Sequence, residues 1–75
     1  MNIIAYKTKS EEDYLYAYSE LQKNGYTPFL TFGYKEGTYL ASEIGSKTFT
    51  DGILLAREGT TYVNSIDEYL SNDEI

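Results

Sequence analysis

Carboxyl, hydroxyl and amino groups are the side chains that could carry chemistry in this chain, because the sequence contains no histidine and no cysteine. Histidine is the usual proton acceptor near neutral pH, and cysteine thiolates are common nucleophiles and metal ligands. The six serines therefore have no imidazole to activate them, and their positions predict helix caps and turns. We expect no enzymatic activity, no cofactor and no metal.

Pairs of adjacent carboxylates are the remaining candidates for acid–base chemistry. They are Glu11 and Glu12, Asp67 and Glu68, and Asp73 and Glu74. Neighbouring residues on a helix diverge by about 100° around its axis, so the two acids of a pair cannot face each other across a substrate bond. The first two pairs instead predict helix N-termini, where carboxylates complement the positive end of the helix dipole.

Aromatic residues are the strongest compositional signal, with nine tyrosines and three phenylalanines among 75 residues. Tyrosine provides a large, rigid contact area at low entropic cost, which favours binding. The predicted protein-binding residues are Tyr16, Tyr34, Tyr39, Tyr62, Asp67, Glu68 and Tyr69. The first four are expected outside the core or beside turns, and the last three combine a ring with two acids. In such a patch the rings anchor a partner and the carboxylates steer it.

Charge is distributed unevenly along the chain, whose formal net charge is −6. Residues 1–57 contain seven acids and six bases, whereas residues 58–75 contain five acids and no base. The C-terminal part should therefore project a negative field, which favours a protein partner with a basic surface and disfavours nucleic acid.

A strand over residues 2–7 and then a helix are predicted at the start of the chain. Ser10 is a good N-cap, and three acids follow it in the first turn. The apolar side of this helix consists of Tyr14, Ala17, Tyr18 and Leu21, at helical spacing. Asn24 and Gly25 are typical of a helix end.

Antiparallel strands are predicted over the following part of the chain. The expected strands cover residues 26–34, 38–42, 46–50, 53–56 and 60–64, with turns at 35–37, Gly45, 51–52 and 57–59. Pro28 should lie near a strand start or at a sheet edge. Residues 53–56 are apolar on both faces, which predicts a central strand or a contact with another chain.

A capping box of Ser65 and Glu68 predicts a short C-terminal helix whose apolar side is Ile66, Tyr69 and Leu70. The resulting fold class is α+β: one small two-layer domain over residues 1–75, with a mainly antiparallel sheet, a long N-terminal helix and a short C-terminal helix. Residues 72–75 should fray. The expected sheet side of the core is Leu30, Phe32, Ile53, Leu55 and Val63. The pattern leaves the strand order open.

The leading functional hypothesis is a small acidic module that occupies a partner protein's surface, as an inhibitor, an antitoxin-like neutraliser or an adaptor. Frequent Asn, Ile, Lys, Phe and Tyr are typical of an AT-rich coding genome and suggest a bacterial or phage source, so the hypothesis includes a phage- or prophage-derived module. A nucleic-acid mimic that blocks a DNA- or RNA-handling enzyme is one alternative. A single-stranded nucleic-acid binder that stacks bases on Phe29, Tyr34 or Tyr39 is another. A homodimer or larger homo-oligomer is the third.

The expected location is the cytoplasm, without membrane association. The apolar run Ile3 to Ala5 near the start is too short for a signal peptide or a membrane span.

Overall fold

The computed structural model describes residues 2–53 and 58–72. The elements are β1 (Ile3–Lys7), α1 (Glu11–Lys23), β2 (Thr27–Pro28), β3 (Tyr39–Glu43), β4 (Thr48–Gly52), β5 (Thr60–Val63) and α2 (Ile66–Asn72). The predicted α+β class is confirmed. At 13 residues, α1 is a helix of ordinary length rather than a long one. Most of the predicted strand over 53–56, Leu55 of the predicted core, Arg57 of the predicted turn and the end beyond residue 72 lie outside the described residues.

The five strands form one mixed sheet in the order β2-β4-β3-β1-β5. β1 pairs with β3 and β3 with β4 in antiparallel fashion, whereas β1 with β5 and β2 with β4 are parallel pairs. The prediction of a mainly antiparallel sheet is therefore only roughly right. It treated successive strands as hairpin neighbours, whereas β5 lies beside β1 and not beside β4.

The hairpin between β3 and β4 turns at Gly45, as predicted. Ser46 donates its backbone N–H to the Glu43 carbonyl at 3.1 Å, and Gly45 and Lys47 both have positive φ angles. The predicted hairpin turn at Asp51 and Gly52 is wrong, because both residues belong to β4.

The predicted strand over residues 26–34 is also wrong beyond its first residues. Only Thr27 and Pro28 pair with β4, and Pro28 lies at the sheet edge as expected. Residues 29–38 form a loop with a turn at Glu36 and Gly37. The strand ends because Leu30 adopts a φ of 53°, outside the extended region.

The hydrophobic core lies between one face of the sheet and the two helices. Its buried members are Ile4, Tyr6, Tyr14, Ala17, Leu21, Tyr26, Leu40, Phe49, Val63, Ile66 and Tyr69. The helix side agrees with the predicted apolar stripe, with Tyr18 half-buried at its margin. Leu30, Phe32 and Ile53 are exposed, so their prediction as core residues is wrong.

Both helices begin at the predicted caps. The Ser10 hydroxyl oxygen accepts the Asp13 N–H at 3.0 Å, and the Ser65 hydroxyl oxygen accepts the Glu68 N–H at 3.1 Å. Glu68 in turn accepts the N–H of Asn64 at 3.3 Å, which completes the cap of α2. In the part of the chain that the structure describes, neither helix has the length and apolar character needed to cross a bilayer.

Candidate protein-binding site

Three exposed large apolar side chains lie close together in sequence after β2, apart from Leu15 on α1, which is 60% exposed. Phe29, Leu30 and Phe32 are 59%, 62% and 76% exposed, and we call residues 29–33 the apolar loop. Ile53, just past the end of β4, is 68% exposed. Single exposed apolar residues are normal on protein surfaces, but a cluster of them is typical of an interaction site.

A backbone hydrogen bond to β4 holds the start of the apolar loop, and a side-chain contact joins its middle to α1. Phe29 donates its N–H to the Phe49 carbonyl at 2.7 Å, which ties the start of the loop to β4. In the middle, the Thr31 hydroxyl lies 3.4 Å from the Tyr18 hydroxyl of α1. The exposed rings are thus presented by an ordered backbone, which lowers the entropic cost of binding.

Asp51 is the main anchor of the apolar loop. It is buried, and its two carboxylate oxygens accept the N–H of Phe32 at 2.7 Å and the N–H of Gly33 at 3.0 Å. The Tyr14 hydroxyl donates a third hydrogen bond at 2.5 Å. Three donors compensate the loss of water around a buried carboxylate.

Tyr14 remains a hydrogen-bond donor to Asp51 over the physiological pH range. Burial raises the pKa of the Tyr14 phenol above its usual range, and the hydrogen bond and negative charge of Asp51 raise it further. The proton that joins α1 to β4 is therefore retained.

The backbone of Leu30 is strained. Its φ of 53° lies in the left-handed region, which costs a residue with a Cβ atom about 1–2 kcal/mol. Its side chain is exposed, so core packing does not compensate this strain. Strained residues that gain no packing energy are frequent at functional sites. The strain at Leu30 therefore supports a binding role for this loop.

The residues predicted from sequence do not form one surface. The rings of Tyr39 and Tyr62 meet at 5.6 Å on the sheet face opposite the helices, since their neighbours Leu40 and Val63 point into the core. Tyr16 is exposed on α1. Asp67 and Glu68 are exposed in the first turn of α2, on the helix side of the sheet.

Two of the predicted tyrosines are not free to anchor a partner. Tyr69 is fully buried and hydrogen-bonds the Ser42 hydroxyl, so its prediction as a surface residue is wrong. The reason is that α2 buries one side of its short length, through Ile66 and Tyr69. Tyr34 is half-buried, with its ring 5.9 Å from that of Tyr14.

Sequence reasoning missed the apolar loop and Asp51. Pro28 and Gly33 bracket the loop, and this spacing was the available signal against a long strand. No local signal identifies Asp51 as the anchor, because its partners lie 18, 19 and 37 residues away in the sequence.

In comparisons with known proteins, no family model, no curated protein and no solved structure matches the chain.

Proposed function

We propose that this chain is a small acidic, cytoplasmic protein-binding module that acts by occupying a partner's surface rather than by catalysis. An inhibitor, an antitoxin-like neutraliser and an adaptor all fit this mode of action. The observation that supports the proposal is the apolar loop, which displays Phe29, Leu30 and Phe32 on a backbone held by Asp51.

The exposed side chains of the apolar loop would gain binding energy when a partner buries them. Full burial of one phenylalanine or leucine side chain contributes about 1.5–3 kcal/mol, so three of them contribute several kcal/mol against the cost of association. A few central apolar anchors usually dominate the binding energy of an interface.

Charge supports a partner with a basic surface. The chain carries 12 acids against six bases, and Asp67 and Glu68 are exposed on α2. These acids speed the encounter, while the apolar loop supplies the lasting contact. The proposed anchors are therefore the side chains of the apolar loop and not the predicted tyrosines. The acids keep their predicted role.

Affinity capture with a tagged chain from the source lysate tests the proposal. The F29S/F32S double variant should retain at most about a tenth of the partner captured by the wild type, because two apolar anchors are lost. Tyr16→Ser is the matched control, since it removes an exposed ring outside the loop, and it should capture as much as the wild type.

Two other results would contradict the site or the mode of binding. If a Y39S/Y62S variant lost capture while F29S/F32S did not, the binding site would lie on the sheet face opposite the helices. Release of the partner by moderate salt alone would favour the nucleic-acid mimic, because contacts between exposed charges are screened by salt.

A further inference from the structure

A cleft of about 540 Å³ opens where β1 and β5 end. Lys7, Thr8 and Lys9 line it from the end of β1, and Val63 and Asn64 line it from the end of β5. Because β1 and β5 are parallel neighbours, their carboxyl ends lie at the same end of the sheet. The volume of the cleft lies in the range of small-molecule sites.

Lys7 and Lys9 are the cationic residues that line this cleft. Within residues 2–53 and 58–72, neither Lys7 nor Lys9 forms an ion pair, whereas Lys23 lies 3.3 Å from Glu20. The Lys9 ammonium makes only a long contact of 3.5 Å with the Asn64 carbonyl. Lys35 likewise forms no ion pair among these residues, so what distinguishes Lys7 and Lys9 is that both line one concave site.

Neutral donors and an apolar wall complete the cleft. Among the described residues, neither the Tyr34 hydroxyl nor the Asn64 side-chain amide has a hydrogen-bond partner, and both residues line the cleft. Tyr6 and Val63 line the cleft but are only 4% and 6% exposed, so the half-buried ring of Tyr34 offers apolar surface there, and Glu36 is the lining acid. Ammonium, phenol and amide groups all donate, so the lining favours an acceptor-rich anion.

We propose that this cleft binds a small molecule that carries an anionic group, phosphate or carboxylate, on a flat apolar body. Lys7 and Lys9 contact the anion, and Tyr34 and Asn64 donate further hydrogen bonds. The half-buried ring of Tyr34 contacts the apolar body. This site goes beyond the proposed protein-binding role, because it uses none of the exposed side chains of the apolar loop.

Nuclear magnetic resonance titration of the full chain with phenyl phosphate, benzoate, inorganic phosphate and phenol tests this inference. We expect a saturable shift of the amide signals of Lys9, Gly37 and Asn64 with phenyl phosphate, benzoate or both, at a Kd below about 10 mM. The comparison of phenyl phosphate with benzoate distinguishes the two anions. Comparison with inorganic phosphate measures the contribution of the apolar body.

Variants identify the role of charge. A K7A/K9A double variant should bind about tenfold more weakly, and Glu36→Gln should bind about twofold more tightly, because the first removes attraction and the second repulsion. Lys23→Ala is the matched control and should bind as the wild type does. Ligand-free spectra verify that each variant is folded.

The inference is overturned if none of the anionic probes gives a saturable shift at these amides. Binding of phenol as tightly as phenyl phosphate would also overturn it, as would unchanged affinity in K7A/K9A. None of these results bears on capture by the apolar loop, so the two proposals fail separately.

Discussion

Tyr14 on α1 donates its phenolic hydrogen to the carboxylate of Asp51 on β4 over 2.5 Å, and both groups are buried. The same carboxylate accepts the backbone N–H groups of Phe32 and Gly33. A single acceptor therefore connects the helix layer, the sheet and the apolar loop. Its removal should disturb all three.

Asp51→Ala should lower the free energy of unfolding by about 2–4 kcal/mol. The substitution leaves the Tyr14 hydroxyl and two N–H groups without their acceptor. Urea unfolding followed by circular dichroism measures the loss. Glu43→Gln, at an exposed acid, is the control and should change stability by less than about 0.5 kcal/mol.

Hydrogen exchange distinguishes a local from a global effect of Asp51→Ala. The amides of Phe32 and Gly33 should exchange faster relative to those of β1, because they lose their acceptor directly. Equal stability of Asp51→Ala and the wild type would mean that the carboxylate does not hold the apolar loop.

Phe49→Ala and Phe32→Ala should differ sharply in their effect on stability. Phe49 is fully buried, so its truncation should cost about 3–5 kcal/mol, whereas Phe32 is largely exposed and its truncation should cost less than about 0.5 kcal/mol. Thermal unfolding of the two variants makes the comparison. Similar losses in both would support the strand over residues 26–34 that the sequence pattern predicts.

Leu30→Asn should stabilise the fold by about 1 kcal/mol while it weakens partner capture. Asparagine tolerates the left-handed backbone of this position better than leucine, and the exposed leucine side chain contributes no core packing. Urea unfolding and affinity capture measured on the same preparation test both effects. A clear loss of stability would show that Leu30 packs against the fold, and undiminished capture would remove it from the interface.

The stability of the fold should decrease as pH rises above about 10, where an unfolded tyrosine begins to lose its proton. Burial raises the pKa of Tyr6 and Tyr14 above that range, and their hydrogen bonds to Asp13 and Asp51 add to the shift. The unfolded chain then releases protons that the folded chain retains, so this contribution is full below pH 10 and is lost above it.

A Y6F/Y14F double variant tests this pH dependence. It should be less stable than the wild type at neutral pH but should lose stability less steeply between about pH 10 and pH 12. Urea midpoints measured across that range give both slopes. Parallel curves for the two proteins would rule out the two phenols as the source.

Local sequence patterns predicted the helices well because their signals lie within a few residues. Ser10 caps α1 through Asp13, and the apolar residues Tyr14, Ala17 and Leu21 recur at helical spacing and are buried. The order of the strands was not predictable, because neighbours such as β1 and β5 are far apart in the chain.

The apolar loop shows why the candidate site was harder to predict. An alternation such as Leu30 and Phe32 fits a half-buried strand equally well, and only the distant carboxylate of Asp51 makes a loop favourable by accepting its N–H groups. Asp51 itself was assigned to a turn because Asp-Gly pairs usually form one. Both errors come from one long-range interaction.

Pro28 has a consequence for how this sheet can grow. Thr27 and Phe29 direct their N–H groups to β4, so the backbone nitrogen of Pro28 faces away from the sheet and has no hydrogen to offer there. Strand addition and fibril formation need backbone N–H donors along an edge strand. The β2 edge lacks one of these donors at Pro28. Extension of the sheet by another polypeptide is thereby disfavoured at the β2 edge.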